Sequence, residues 1–221
     1  MARQVDPRLL RLGVINNWDS RWLNQKQYPV LLKQDHELRN FLNQKLKDGG
    51  VERIIIERLA NLINIVIYTS RAGLIIGRGG TGIEDIKAEL VKIIQKDQAT
   101  KQSQLRLEIQ EIKEPDTSAV LIAQNIASQL ERRLPFRRVL KPALDRVFQN
   151  KNIQGVKLAI SGRLNGADMS RREWLVKGKI PLQTLRADID FGKANSYTKY
   201  GVIGVKVWLY KGEVFEKDTK E

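Results

Sequence analysis

The sequence predicts an α+β protein built from two domains, and two observations carry this prediction. Within residues 35–114 the apolar periods change in the order helix, strand, strand, glycine-rich loop, helix, strand. Within residues 115–214 two helical periods come first and strand periods follow. A chain of 221 residues has the length of two small domains. The predicted division is therefore an N-terminal arm (1–34), a first domain (35–114), a second domain (115–214) and a short tail (215–221).

The arm is rich in Asn, Gln and Trp, and Pro7 and Pro29 limit regular structure there. We expect an extended segment that requires a partner to become ordered. From about Asp35, apolar residues follow a helical period, which Gly49 and Gly50 end. The remaining elements of the first domain are predicted as strands over 51–57 and 63–69, a glycine cluster at 77–82, a helix over 83–94, a polar linker over 95–104 and a strand over 105–111.

The second domain is predicted to begin near Pro115, because proline restrains the residue before it and Asp116 or Thr117 can cap a following helix. Pro135 interrupts the helical pattern and separates two helices. We expect both helices to pack on a mixed or antiparallel sheet. The predicted elements are helices over 120–134 and 139–148 and strands over 156–160, 174–179, 184–191 and 202–214.

The charge of the chain restricts its partners. With 39 Lys and Arg against 25 Asp and Glu, the formal charge is +14 and the pI is near 10. Such an excess favours a polyanionic partner, either nucleic acid or an anionic membrane surface. No stretch approaches the ~18 apolar residues of a membrane span, and the N-terminus lacks the apolar region of a secretion signal. We therefore expect a soluble, intracellular protein.

The residue types present also restrict the chemistry. The sequence has no cysteine, which excludes disulfides, thiolate zinc sites, iron–sulfur clusters and cysteine nucleophiles. Its single histidine, His36, excludes a two-histidine metal site and argues against a His-based triad. His36 lies in a polar run and is interpreted as a solvated residue at a helix start. We expect no catalytic centre and no cofactor or metal.

The glycine cluster at 77–82 resembles two nucleotide-binding motifs only in part. Gly77, Gly79 and Gly82 satisfy the G-x-G-x-x-G pattern of a dinucleotide site, which should directly follow a strand. If the preceding strand ends near Ile67, nine residues (68–76) separate it from the glycines, and only one strand follows them. The phosphate loop of nucleoside triphosphatases requires a lysine after its second glycine, and this chain has none there. Both patterns are therefore disfavoured.

A third interpretation is the G-x-x-G loop of a KH domain, formed by Gly77, Arg78, Gly79 and Gly80. Its glycines let the backbone approach a nucleic-acid strand, and about four nucleotides can be held beside an apolar groove. A plain glycine turn between helices is the structural alternative. The helix and strand ahead of the strand-loop-helix-strand core match the type II KH arrangement, which favours the RNA-binding loop.

One segment concentrates the positive charge. Between Leu130 and Lys151, seven basic and two acidic side chains give +5 in 22 residues, over a third of the total excess. Arg137 and Lys141 share a helical face, and like charges at that spacing repel one another. A phosphate backbone would relieve this repulsion, and an ordinary solvated helix side is the alternative interpretation. The candidate RNA contacts here are Arg132, Arg133, Arg137, Arg138 and Lys141.

A second basic group is more diffuse and includes loops. Arginine suits folded RNA because its planar guanidinium matches phosphates and base edges. Among the tryptophans that could stack on bases, Trp174 and Trp208 lie in apolar strand patterns and are interpreted as core, whereas Trp18 and Trp22 lie in the arm. The basic residues of this group are Arg163, Arg171, Arg172, Lys177, Lys179 and Arg186.

Several stretches of the sequence together form a specific pattern, and the C-terminal stretches are its most specific part. They are Arg11-Leu12-Gly13-Val14 with Trp18, the loop from Gly77 to Gly80, Gln129 to Arg133 with Phe136 to Arg138, Ser161 to Leu164, Thr184 to Asp190 and Tyr200 to Trp208. In these residues the chain resembles the bacterial small-subunit ribosomal protein S-three family, and the resemblance covers nearly the whole chain.

The resemblance implies a structural protein in the head of the small ribosomal subunit, located in the cytoplasm as part of the ribosome. Such proteins bind the 3′ domain of 16S rRNA, contact neighbouring head proteins and line the channel where mRNA enters. The family's channel residues, linked to unwinding of structured mRNA, align with Arg137, Arg138 and Lys141. The resemblance implies no membrane partner and no small-molecule substrate.

The sequence departs from the family pattern at three places. Gly79 stands where the loop often carries a second basic residue, Pro142 follows Lys141 where a basic residue commonly continues the helix, and the linker at 95–104 is long. Two other functions stay open. A free-standing KH factor acting on transcripts would sediment away from small subunits, and a nucleotide-dependent enzyme would bind a dinucleotide or triphosphate.

Overall fold

In the computed structural model of the protein, the described residues are 5–59, 61–95 and 104–215. The chain forms two compact units. Residues 18–113 form the first unit, and residues 1–17 together with 114–221 form the second. Each unit has its own apolar core. Most of the predicted linker at 95–104 and of the predicted tail at 215–221 lies outside the described residues.

The first unit is a four-stranded mixed sheet with two long helices packed on one face. Its elements are β1 (Ser20–Arg21), α1 (Tyr28–Lys45), β2 (Val51–Arg58), β3 (Leu62–Thr69), α2 (Ala72–Ile76), α3 (Thr81–Ile94) and β4 (Gln104–Glu111). The strand order is β1-β2-β3-β4; β2 and β3 pair antiparallel, and the two outer pairs are parallel. Ile54, Ile65 and Ile67 alternate along the strands to meet Leu38 of α1 and Leu90 of α3.

Helix α1 begins at Tyr28, seven residues before the predicted start. Pro29 lies in its first turn, where proline's missing N–H would have no intrahelical partner and its fixed φ suits a helix. The interpretation of Pro29 as a limit to regular structure was wrong. The predicted boundary between residues 34 and 35 consequently lies inside α1.

A buried polar network anchors α1 to the sheet. Arg58 Nε donates to Asp35 Oδ1 at 2.9 Å, and Arg58 Nη1 donates to Gln34 Oε1 at 2.8 Å. The indole N–H of Trp22 donates to Asp35 Oδ2 at 2.8 Å. The polar run around His36 is therefore not uniformly solvated, because Gln34 and Asp35 are buried while His36 is exposed.

The second unit places two helices on one face of an antiparallel sheet. Its elements are α4 (Ala119–Glu131), α5 (Phe136–Phe148), β5 (Gly155–Gly162), β6 (Arg171–Gly178), β7 (Ala187–Thr198) and β8 (Gly201–Glu213). The strand order is β6-β5-β8-β7. Helix α4 packs on β7 and β8, and α5 packs on β5 and β6. A Cβ atom at Gly192 would lie 2.2 Å from the Ala119 carbonyl oxygen, which shows how closely α4 approaches β7.

The junction between α4 and α5 has two unusual features. Arg133 follows the last turn of α4 with φ +61°, a left-handed conformation that glycine usually occupies at a helix end. Helix α5 starts after Pro135, and the amide of Phe136 donates to Asn165 Oδ1 at 3.4 Å. Pro142 lies inside α5, and the helix continues through it to Phe148. The geometry after Lys141, which the sequence put in doubt, is helical.

The N-terminal segment is held in the second unit by Arg11. Its side chain is fully buried. Nε donates to the Ala187 carbonyl at 2.7 Å and Nη1 to the Pro7 carbonyl at 2.7 Å. Nη2 donates to the carbonyls of Leu182 and Thr184 at 3.1 and 2.9 Å. The predicted arm is therefore divided: its first 17 residues group with the second unit, and its remainder belongs to the first unit.

Two charged groups beside this segment have shifted pKa values. Burial raises the pKa of Asp188, with Lys211 and Arg11 opposing the rise and Asp190 adding to it. Burial lowers the pKa of the Arg11 guanidinium, and Asp188 opposes that change. The Asp188 carboxyl consequently binds a proton more readily in the folded unit than in an unfolded chain.

Candidate nucleic-acid interface

The G-x-x-G loop lies between two helices, as the sequence predicted. Helix α2 ends at Ile76, a single 3-10 turn covers Arg78–Gly80, and α3 starts at Thr81. Gly77, Gly79 and Gly80 have φ values of +72°, +63° and +85°, which residues with a side chain rarely adopt. A Cβ at Gly79 or Gly80 would have no atom within 4 Å, so the outer side of the loop is open.

Gly82, the last glycine of the cluster, has a packing role. A Cβ there would lie 2.6 Å from the Ile75 carbonyl oxygen and 3.1 Å from that of Ile76, so a side chain would push α2 away from α3. Helix α2 also separates the loop from β3, whereas a dinucleotide motif joins a strand directly to its helix. The glycines match G-x-G-x-x-G because the turn and the close approach of α2 to α3 require them, so the match does not indicate a dinucleotide site.

The side chains around the loop divide into core and surface. Ile75 and Ile86, which flank the loop in sequence, are buried in the core of the first unit. Ile76 is 37% exposed and Ile83 is half-buried, so these two can face a ligand. Arg78 is exposed, and no ion pair engages it within the described part of the chain.

The structure brings the five basic candidates of the 130–151 segment together on one junction. Arg132 and Arg133 lie in the turn after α4, and Arg137, Arg138 and Lys141 lie in the first two turns of α5. All five are exposed, and none forms an ion pair with a described residue. We name these five residues the junction cluster.

Some residues of the diffuse basic group form ion pairs with acidic side chains, and others form none with a described residue. Arg163 pairs with Asp168 at 2.9 Å, Lys177 with Asp145 at 2.9 Å and Arg186 with Glu213 at 2.6 Å. Each also lies over an aromatic ring of the second unit. Within the described ranges, the members that make no ion pair are Arg171, Arg172 and Lys179.

A cavity of about 80 Å³ adjoins the junction cluster. Its apolar lining comes from Phe136 and Leu140 of α5 and Leu175 of β6. Arg137 and Lys141 stand at its side, together with the residues Glu173 and Trp174 of β6. The arrangement joins cations to an apolar surface, which is the combination that binds the phosphates and bases of nucleic acids.

The prediction for the tryptophans was correct for Trp208 and wrong for Trp174. Trp208 is 6% exposed and packs against Phe191, whereas Trp174 is 59% exposed. Both belong to apolar strand patterns, but Trp174 lies on an edge strand of the sheet. The signal that could have identified it is the alternation Arg172, Trp174, Val176, which places a basic and an aromatic side chain on the same face.

Across residues 5–59, 61–95 and 104–215, no three acidic or histidine side chains are grouped as a metal ion would require. No helix in these ranges combines the length and the apolar character needed to cross a bilayer.

Known proteins match both units. The KH domain family model matches residues 37–117, and the model described as Ribosomal protein S3, C-terminal domain, matches residues 126–209. The small ribosomal subunit protein uS3 of Carboxydothermus hydrogenoformans is 45% identical over 222 residues, covering 100% of this chain and 96% of its own. The protein of the same name from Geobacter sulfurreducens is 48% identical over 214 residues, covering 97% of this chain and 98% of its own.

A third relative, from Lactobacillus acidophilus, has the same name and is 46% identical over 214 residues, with 97% of this chain and 92% of the relative covered. The two family matches fall on the two units that the structure separates. The α+β fold and the KH arrangement predicted from the sequence are confirmed. By full-length similarity and by both family matches, the chain belongs to the uS3 family of small ribosomal subunit proteins.

Proposed function

We propose that the protein is a structural constituent of the small ribosomal subunit that binds 16S rRNA in the subunit head and contacts mRNA as it enters. Its relatives are named small ribosomal subunit proteins, and the family is one of structural proteins rather than enzymes. The finer assignments, to the 3′ domain of the rRNA and to the mRNA channel, are part of this proposal.

The observation that carries the mRNA assignment is the junction cluster. Five exposed cations occupy one short turn and the helix start that follows it, without an ion-pair partner among the described residues. Unpaired cations at helical spacing repel one another, and a phosphate chain removes that repulsion. Catalysis is not required, because the cluster can hold single-stranded mRNA while translocation supplies the work of unwinding.

The G-x-x-G loop and the unengaged members of the diffuse group are proposed as rRNA contacts. The loop from Gly77 to Gly80 is open on its outer side, and Arg78 is free to reach a phosphate. Arg171, Arg172 and Lys179 are the stronger candidates in the second unit. Arg163, Lys177 and Arg186 already bind acidic side chains, so their contacts to RNA would require those ion pairs to exchange.

The test replaces Arg137, Arg138 and Lys141 by alanine in cells and in purified translation. We expect small subunits to assemble, and translation through a stable mRNA hairpin to slow more than translation of an unstructured mRNA. In the isolated protein, loss of three phosphate contacts should reduce the salt dependence of single-stranded RNA binding by about 2 in log K per log salt.

A matched control removes the same charge elsewhere. Lys26, Lys33 and Lys47 are exposed lysines of the first unit, and their triple alanine variant should leave hairpin translation unchanged. Equal slowing by both variants would contradict the assignment of the junction cluster to mRNA. A protein that sediments away from small subunits at physiological salt would instead indicate a free-standing RNA-binding factor.

A further inference from the structure

The face of the second sheet opposite α4 and α5 has a distinctive pattern of side chains. Across the order β6-β5-β8-β7, strand register aligns twelve residues in three rows. The rows are Arg172, Ser161, Gly204 and Asn195; Trp174, Ala159, Lys206 and Lys193; and Val176, Lys157, Trp208 and Phe191. We name this set the open face. It contains four cations and no carboxylate.

Part of the open face is covered by the protein itself. Phe191 and Trp208 pack beneath Ile180 and Leu182, which belong to the connection between β6 and β7. The half formed by the outer strand β6 is left uncovered, and there Trp174 is 59% exposed. A large aromatic side chain is thus presented to a ligand beside a row of cations.

The contacts of Trp174 leave it suited to stacking. Lys157 Nζ lies 5.6 Å from the centre of the Trp174 ring and 5.3 Å from that of Trp208, so one cation is shared by both rings. Ala159, the cross-strand neighbour of Trp174, is small and does not screen it. Lys206 is the next residue along the same row, and Lys193 follows at the edge.

Trp174 also adjoins the junction cluster. It lines the cavity of about 80 Å³ that Arg137 and Lys141 border. Because the open face is opposite α5, a strand of RNA that leaves those two residues passes around the edge strand β6 to reach the Trp174 ring and then the lysines of the open face.

We propose that the open face binds single-stranded RNA, with a base stacked on Trp174 and phosphates held by Lys206, Lys193 and Arg172. This inference rests on the proposed function, since it extends the RNA path from the junction cluster. The four cations without a carboxylate favour a polyanion. The exposed Trp174 ring beside them favours a polyanion whose bases can stack. Stacking on an aromatic side chain accepts any base, so the site would select single strands without selecting sequence.

Affinity for RNA is the first test. A fluorescein-labelled twelve-nucleotide oligouridylate is titrated into the full chain, and anisotropy is recorded at several salt concentrations. Trp174→Leu should weaken binding about tenfold, and Trp174→Tyr should restore most of it because tyrosine also stacks. Tyr28→Leu is the control, since Tyr28 is an aromatic residue that is 54% exposed in the first unit, and it should leave affinity unchanged.

Location is the second test. With 4-thiouridine in the oligonucleotide, cross-links should appear in the tryptic peptide covering 173–177. The Lys193→Ala/Lys206→Ala variant should reduce that cross-link about tenfold and lower the salt slope by about 1.4. The Lys33→Ala/Lys47→Ala variant removes the same charge from the first unit. It should change neither the cross-link nor the salt slope.

The outcomes separate this inference from the proposed function. Trp174→Leu binding within twofold of the parent, while the Arg137, Arg138 and Lys141 triple variant binds weakly, overturns the inference and leaves the proposed mRNA contact standing. Unchanged binding in both variants overturns both. If Trp174→Leu binds RNA normally but enters small subunits poorly, the open face contacts a protein and the inference is wrong.

Discussion

Arg11→Ala removes the side chain that holds the N-terminal segment in the second unit. Its buried guanidinium donates four hydrogen bonds, three of them to carbonyls within residues 182–187. Hydrogen bonds from a charged donor contribute about 1.5–3 kcal/mol each. The desolvation of a buried charge offsets several kcal/mol of that sum. We expect a net loss of about 3 kcal/mol, or roughly 150-fold in the ratio of closed to open segment.

Amide hydrogen exchange measures this loss directly. The Leu182 amide donates to the Ile180 carbonyl, and the Ala187 amide donates to the Thr184 carbonyl, so both report the connection that Arg11 holds. In Arg11→Ala, exchange at these two amides should accelerate about 100-fold. Arg11→Lys keeps the charge but loses the planar set of donors, and should give an intermediate rate.

Arg8→Ala is the control for this experiment. Arg8 lies in the same segment, and its ion pair with Asp6 has side chains that are 40% and 26% exposed. Such a pair contributes less than about 1 kcal/mol, so exchange at Leu182 and Ala187 should change less than fivefold. If Arg11→Ala gives no larger change than Arg8→Ala, the buried hydrogen bonds do not order the segment and the reasoning is refuted.

Three further predictions concern single positions. Gly82→Ala should destabilise the first unit by about 2 kcal/mol in denaturant unfolding, within the roughly 1–3 kcal/mol that overpacking costs, because its Cβ would clash with backbone. Gly80→Ala should cost only the left-handed strain of about 1 kcal/mol. Equal losses would contradict this. Because burial raises the pKa of Asp188 above its ordinary 3.8, stability of the second unit should fall as pH rises through the folded pKa, and Asp188→Asn should flatten that slope in thermal melts. Arg133→Gly should stabilise the second unit by about 1 kcal/mol yet lower the salt slope of RNA binding by about 0.7.

The parts of the fold that depend on local periodicity could be predicted from the sequence. Strand β4 alternates strictly from Leu105, and the G-x-x-G loop has its glycines at the positions where the backbone takes positive φ. Both signals are local, because they follow from side-chain alternation and from the steric freedom of glycine. The junction cluster was identified for a similar reason, since its five residues fall within residues 132–141 of the sequence and therefore stay close together in space.

The parts that depend on distant contacts could not be predicted. The sequence places Arg11 in an extended arm, where an arginine is expected at the surface. In the structure Arg11 is buried because its guanidinium donates to carbonyls within residues 182–187. The sequence pattern predicts Trp174 as a core residue. Alternation assigns a residue to one face of a sheet, but it does not show whether other parts of the chain cover that face. Asp35 reads as solvated, although its partner Arg58 lies on a strand 23 residues away. Each error concerns a contact that the residue makes, or does not make, with parts of the chain that are distant in sequence.

The division of the cations is the strongest link between the fold and the proposed function. A net charge of +14 says only that an anion is needed, whereas the structure separates cations that neutralise internal carboxylates from cations that do not. The unengaged ones concentrate at the junction cluster, where the backbone also departs from what stability favours. Arg133 occupies a conformation that suits glycine, and Pro142 removes a hydrogen bond from α5 at a typical cost of about 3 kcal/mol. These two costs lie beside five cations that form no ion pair within the described part of the chain. Such a combination is expected where binding, rather than folding, determines the residues.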